Sequence, residues 1–103
     1  MQKFSIKIDV EALEDIQKTT DWYNSVNNGL GAKFQKQVIS QISKLNKNPY
    51  LFSIKYENVR CFLISKFPFL VHYSVDEVNF VIEISAIFHT SRNPQVWLER
   101  KKK

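Results

Sequence analysis

The sequence predicts an α+β domain of order β-α-α-β-β-β, a helical hairpin packed on one face of a small, mainly antiparallel sheet. Three observations carry this. Residues 59 to 97 hold three β-branched and aromatic runs separated by short polar breaks, the pattern of an antiparallel meander. Lys3 to Ile8 alternates, with Phe4, Ile6 and Ile8 on one side of a strand and Ser5 and Lys7 on the other. Between them, two segments repeat apolar residues at helical spacing.

The first helical segment opens at Asp9, a candidate N-cap with Glu11 in the first turn, and carries Leu13, Ile16, Thr20 and Tyr23 on one stripe. It should run to about Val26, where Asn27-Asn28-Gly29 supplies residues that tolerate positive φ. Phe34, Val38, Ile42 and Leu45 form the second stripe, and Pro49 ends it by disfavouring helix at Asn48. The short joint makes the two helices an antiparallel hairpin. Pro49 to Asn58 reads as a loop or short irregular strand, with Tyr50, Phe52, Ile54 and Tyr56 tucked against the core.

At 103 residues and 12.2 kDa the chain has room for one domain, assigned to residues 1–98, with 99–103 as a basic tail. The 44% apolar content is ample for a packed core. Net charge is +5, but Glu99 to Lys103 carry one negative and four positive charges, so the body is only mildly basic. Cys61 is a single cysteine, no basic start leads into an apolar stretch in Met1 to Val10, and no run is long enough to cross a membrane, so a cytoplasmic protein without membrane contact is expected.

Alternation sorts the meander. A hairpin loop at Ser65-Lys66 or Ser65 to Pro68 puts Arg60, Phe62 and Ile64 with Phe69, Val71 and Tyr73 on the core face. Phe80, Ile82, Ile84, Ala86 and Phe88 are assigned to the same face. The opposite face, left open by the hairpin, then holds Cys61, Leu63, Leu70, His72, Ser74, Glu83, Ser85, Ile87 and His89. His72 and Glu83 read as a cross-strand polar pair, and Arg60 as a stem along apolar side chains with Glu57 or Asp76 as partner. His72, Glu83 and His89 lack close-spaced ligand motifs, so no metal is expected. With only Gly29 and Gly31, the chain has no phosphate-cradling loop, and it has no nucleophile elbow, which excludes nucleotide hydrolysis and acyl transfer and leaves no cofactor.

Val59-Arg60, Lys66-Phe67-Pro68-Phe69-Leu70-Val71-His72-Tyr73, Ile84 to His89, and Thr90-Ser91-Arg92-Asn93-Pro94 with Trp97 resemble the RelE/ParE superfamily of type II toxin–antitoxin toxins. The order of elements agrees over nearly the whole chain. The resemblance implies a toxin of the plasmid-stabilisation type, neutralised by a cognate antitoxin. Its target would be DNA gyrase, as for ParE, or mRNA on the translating ribosome, as for the RelE interferases. His89 matches the end of the last strand, where interferases place a His or Arg, and with Arg92 it is the catalytic candidate of that alternative. Arg60 matches the common Arg of the first meander strand. Leu70, Cys61 and Leu63, however, stand where interferases carry cations, and cleavage through a ribose 2′-hydroxyl needs cations as well as an acid and a base. That favours the ParE-like reading. Arg60, His72, Glu83, Leu63 and Leu70 are the binding candidates, and an acidic antitoxin segment is expected on Leu63, Leu70 and Ile87, with a further contact around Trp22.

Overall fold

The computed structural model describes residues 3 to 101, Lys101 by its backbone alone. The alternating start forms β1 (Ser5–Ile8), which leads directly into α1 (Val10–Val26). Asp9 stands at the N-cap, but its side chain makes no cap hydrogen bond; its backbone N–H donates instead to the Ile84 carbonyl at 2.9 Å and fastens the strand exit. Gly29, at φ +94°, makes the left-handed turn into α2 (Leu30–Ser43), which tightens into a 3₁₀ turn over Lys44–Lys47 before Pro49. β2 (Ile54–Tyr56), β3 (Val59–Leu63), β4 (Phe69–Asp76) and β5 (Val81–His89) follow, and α3 (Pro94–Lys101) closes the chain. The segment read as loop or irregular strand thus supplies a short edge strand.

The five strands lie in the order β1-β5-β4-β3-β2, with β1 parallel to β5 and the other pairs antiparallel. β3 and β4 pair as alternation predicts, Arg60 opposite Tyr73 and Leu63 opposite Leu70. The hairpin α1–α2 covers one face and buries Ala12, Ile16, Phe34, Val38 and Ile42 against Val71, Tyr73, Ile82 and Ile84. The expected α1 stripe holds at Ile16, Thr20 and Tyr23, but in the first turn Ala12 is buried while Leu13 is 50% exposed. Phe80 also lies outside the strand and is exposed, in the turn before β5 at φ +55°.

The helices approach closely at Gly31. A Cβ there would overlap the Thr20 carbonyl oxygen and lie 2.6 Å from Asn24 Cγ, and the Gly31 N–H donates to Asn24 Oδ1 at 2.9 Å. Tyr23 and Phe34 extend this contact to the β3–β4 turn, where Phe67 packs edge-on against both rings at 5.2 and 5.3 Å.

Two features differ from the alternation reading. β5 is bulged at Ser85: Tyr73 pairs with Ile84 but His72 pairs with Ala86, so every later side chain changes face. Ile87 joins the core under the hairpin and His89 stands opposite Phe69, whereas Ala86 and Phe88 turn to the face that carries His72. That second face is not left open. Asn93 Oδ1 accepts from the Gln95 N–H, Pro94 fills the first helical position, and α3 lays Trp97 against His72 and Tyr56 at ring distances of 4.9 and 5.6 Å. Arg100, read as part of a solvated tail, belongs to α3 and pairs with Asp15 of α1 at 3.0 Å and Glu11 at 3.3 Å. The final two residues of the predicted tail, 102–103, lie outside the described residues.

The hairpin contact gives a direct test. Gly31→Ala gains helix propensity of ~1 kcal/mol but forces the helices apart, so the variant should lose about 1–3 kcal/mol net. For a domain of this size the melting temperature should fall by several degrees. An unchanged or raised melting temperature would show that the hairpin does not pack at Gly31.

Candidate functional site

β3, β4 and β5 converge on His72, which is fully buried beneath α3. Its Nδ1 lies 3.0 Å from the Tyr56 hydroxyl and 3.3 Å from Cys61 Sγ, and its ring meets Trp97 and Phe88 edge-on. Burial, helped by the nearby Arg100 charge, pulls its pKa down to about 4. Burial also pushes Tyr56 up to about 12 and Cys61 up to about 11, the latter partly countered by Lys55. At neutral pH all three groups are uncharged, and none can act as an exposed acid or base. The cluster is packed between sheet and α3 and only partly satisfied: His72 Nδ1 has its polar neighbours, whereas His72 Nε2 and Trp97 Nε1 are buried without a hydrogen-bond partner.

Glu83 does not pair with His72. It stands opposite Ser74 and lines a polar cavity of about 190 Å³ with Asp9, Glu11, Ser85 and Arg100. Arg60 points to the core face as predicted, but its Nη1 donates to the Phe52 carbonyl at 2.6 Å and its guanidinium lies 5.2 Å from the Tyr50 ring centroid. Arg60 therefore holds the segment before β2 rather than meeting Glu57 or Asp76. Leu63 is 58% exposed, its cross-strand partner Leu70 is half-buried, and Ile87 is buried in the core, so the expected apolar patch shrinks to the edge of the sheet.

The structure does bring His89 and Arg92 together. They line a cavity of about 240 Å³ at the sheet end with Asp15, Lys18, Thr19 and Arg100, and Arg92 lies over the Phe88 ring at 5.6 Å. Lys18 and Arg100 were not among the sequence candidates. Pro94 after Asn93 and the spacing from Trp97 to Arg100 were the available signals for Arg100; Lys18 carried none. His89 Nδ1 accepts a hydrogen bond from the Ser91 N–H at 3.0 Å and contacts Ser91 Oγ at 2.8 Å. A backbone N–H can only donate, so neutral His89 carries its proton on Nε2 and presents a donor to the cavity, not a base. Because the bulge separates the faces, His72 and His89 do not share a site. Among the described residues no group of three His, Cys, Asp or Glu side chains could hold a metal ion, and no helix is long and apolar enough to cross a membrane.

A hairpin of helices packed on a five-stranded mixed sheet is the fold this chain shares with solved toxins of the RelE and ParE kind. A chain of the chromosomal ParDE system from P. aeruginosa superposes with a TM-score of 0.77 at 18% identity, over 86% of this chain and 98% of that one. An arginine double mutant of the E. coli toxin RelE in the free state gives 0.72 at 13% identity, over 98% and 97%. The intact E. coli RelBE toxin-antitoxin complex gives 0.66 at 12% identity, over 86% and 99%. Curated protein sequences give no match. Residues 6–94 match the family described as ParE toxin of the type II toxin-antitoxin system parDE, and the chain belongs to that family.

The titration of His72 is measurable through stability. Its folded pKa of about 4 lies below the ordinary value of 6.5, so between these pH values the unfolded chain binds the proton that the folded chain refuses. His72 thus contributes no penalty above pH 6.5 and costs stability increasingly as pH falls towards 4, by up to a few kcal/mol. The difference in unfolding free energy between wild type and His72→Gln should change steeply between pH 6.5 and 4.5 and stay flat above 7. Parallel pH curves for the two proteins would place His72 in contact with solvent.

Proposed function

We propose that this toxin acts by binding protein, as a ParE-like inhibitor of DNA gyrase that a cognate antitoxin neutralises, and that it is not a nuclease. The carrying observation is the separation of the two histidines. His72 is buried and neutral on one face, and His89 on the other shows a donor because Ser91 occupies its Nδ1. Cleavage at a ribose needs one group to accept the 2′-hydroxyl proton and another to protonate the leaving oxygen. The two histidines do not face a common space and cannot share these roles. Leu63, Leu70 and Cys61 occupy the strand positions where cations would steady the phosphorane, and Trp97 of α3 covers His72 on that face. Membership of the ParE family supports the same reading.

The interferase alternative rests on one observation, the cavity in which His89 and Arg92 meet Lys18 and Arg100. Such a cavity could hold a phosphate, and a ribosome could supply the missing base.

The two readings separate in purified assays. The toxin should lower DNA supercoiling by gyrase, antitoxin should restore it, and His89→Gln should keep the inhibition within roughly threefold, since His89 makes no proton transfer in this reading. Transcripts from translating ribosomes should show no new ends. Ribosome-dependent cuts that fall ~10²-fold or more in His89→Gln, with supercoiling untouched, would replace the gyrase reading with the interferase one.

A further inference from the structure

The turn between α1 and α2 carries the chain's Asn-Gly step, Asn28-Gly29. An asparagine amide followed by glycine is open to attack by the next backbone nitrogen, because a small unstrained ring closes and no Cβ hinders the approach. Both residues are exposed, and a Cβ built on Gly29 would meet nothing within 4 Å. Among the described residues, no hydrogen bond engages the Asn28 side chain or the Gly29 N–H. The attacking nitrogen and the amide carbon are therefore neighbours in sequence, solvated and unheld.

The other asparagines lack this combination. Asn48 and Asn93 precede proline, which has no N–H to attack with. Asn24 lies within α1 and its Oδ1 holds the Gly31 N–H, while Asn79 donates to the Asp76 carboxylate at 2.9 Å and precedes the bulky Phe80. Asn58 precedes the β-branched Val59 that opens β3, Asn46 lies inside the 3₁₀ turn, and Asn27 is followed by Asn28, which has a Cβ.

We propose that Asn28 is a site of spontaneous covalent modification whose isoaspartate product loosens the helical hairpin. The Gly29 nitrogen attacks Asn28 Cγ, the Cγ–Nδ2 bond breaks, and ammonia leaves with the Gly29 amide proton, giving a succinimide. Water then opens the ring, its oxygen entering the new carboxylate and a proton returning to the Gly29 nitrogen. Addition at Cγ breaks the newly made bond and yields aspartate. Addition at the Asn28 main-chain carbonyl breaks the original peptide bond and yields isoaspartate, with the chain now running through the former side chain.

The two products differ in what they do to the hairpin. Aspartate puts a carboxylate ahead of α2, whose first turn has no acidic residue, and leaves the backbone path unchanged. Isoaspartate inserts an extra carbon into a turn that the Leu30 N–H closes on the Asn27 carbonyl at 2.9 Å. That turn leads at once to Gly31, where the helices leave no room even for a Cβ. The closure and the Gly31 bond to Asn24 cannot both survive the longer path, so the hairpin packing weakens with the age of the molecule.

The test keeps the full-length toxin in warm, mildly alkaline buffer, which favours attack by the deprotonated amide, and follows it by peptide mass mapping and by isoaspartyl methyltransferase labelling. Aspartate and isoaspartate should accumulate at Asn28 at least ~10-fold faster than at any other asparagine, and within ~10-fold of the rate in the urea-unfolded chain, because the turn leaves the step free. Asn28→Gln should abolish the labelling, since its longer side chain closes only a larger ring, slowly. Fresh Asn28→Asp should melt within about 2 °C of the parent, whereas the isoaspartate form, isolated by chromatography, should melt several degrees lower. Modification at Asn28 no faster than elsewhere, strong protection of the folded chain relative to the unfolded one, or labelling that persists in Asn28→Gln would overturn the site. An isoaspartate form that melts with the parent would overturn its effect on the hairpin.

Discussion

The bulge at Ser85 is the constraint on which the rest depends. An extra residue in β5 leaves backbone groups that β1 cannot satisfy, because β1 ends opposite Ile84. Two side chains from distant parts of the chain take them. Asp15 of α1 accepts the Ile87 N–H at 3.0 Å, and Arg100 of α3 donates to the Ser85 carbonyl at 3.1 Å while binding the same carboxylate through both terminal nitrogens. Both side chains are largely buried, at 16% and 19% exposure, so losing either would strand a charge at a cost of about 3–5 kcal/mol. The ion pair closes the free sheet edge and at once pins α3 under the sheet. Its guanidinium also lies 4.8 Å from the Phe88 ring, a side chain that only the bulge brings to that face.

Function follows from this arrangement. With the faces exchanged after Ser85, the two histidines of the chain come to opposite sides of the sheet, and α3 covers His72. In the polar cluster of Tyr56, Cys61 and His72, which could be mistaken for a catalytic group, all three are neutral, and Cys61 and His72 are buried. What remains accessible is of another kind: the exposed Trp22, Leu13 and Ile39 on the hairpin, and the basic cavity at His89. Such surfaces suit binding of proteins more than bond cleavage.

Most of the fold was legible where the hydrophobic period was clean. Phe4, Ile6 and Ile8 announced β1, Phe34, Val38 and Ile42 announced α2, and polar breaks marked the meander, whose first hairpin has the expected register. Legibility ended where the period vanished. Ala86-Ile87-Phe88 is apolar on both faces, so nothing in the pattern marks a register shift there, and the site residues downstream were sorted to the wrong side. Ala12 and Leu13 are both apolar, so the pattern did not distinguish which of them the first turn of α1 buries. Arg100 was hidden in a charge run, and its partners Glu11 and Asp15 lie at the far end of the chain.

Cross-strand proton contacts between β4 and β5 in a nuclear Overhauser spectrum test the bulge most directly. The account predicts contacts of Leu70 with Phe88 and of Phe69 with His89, together with Phe88 ring contacts to His72. Contacts of Phe69 with Phe88 and of Leu70 with Ile87 would mean an unbroken ladder, would return His89 to the face of His72, and would contradict the separation on which the functional reading rests.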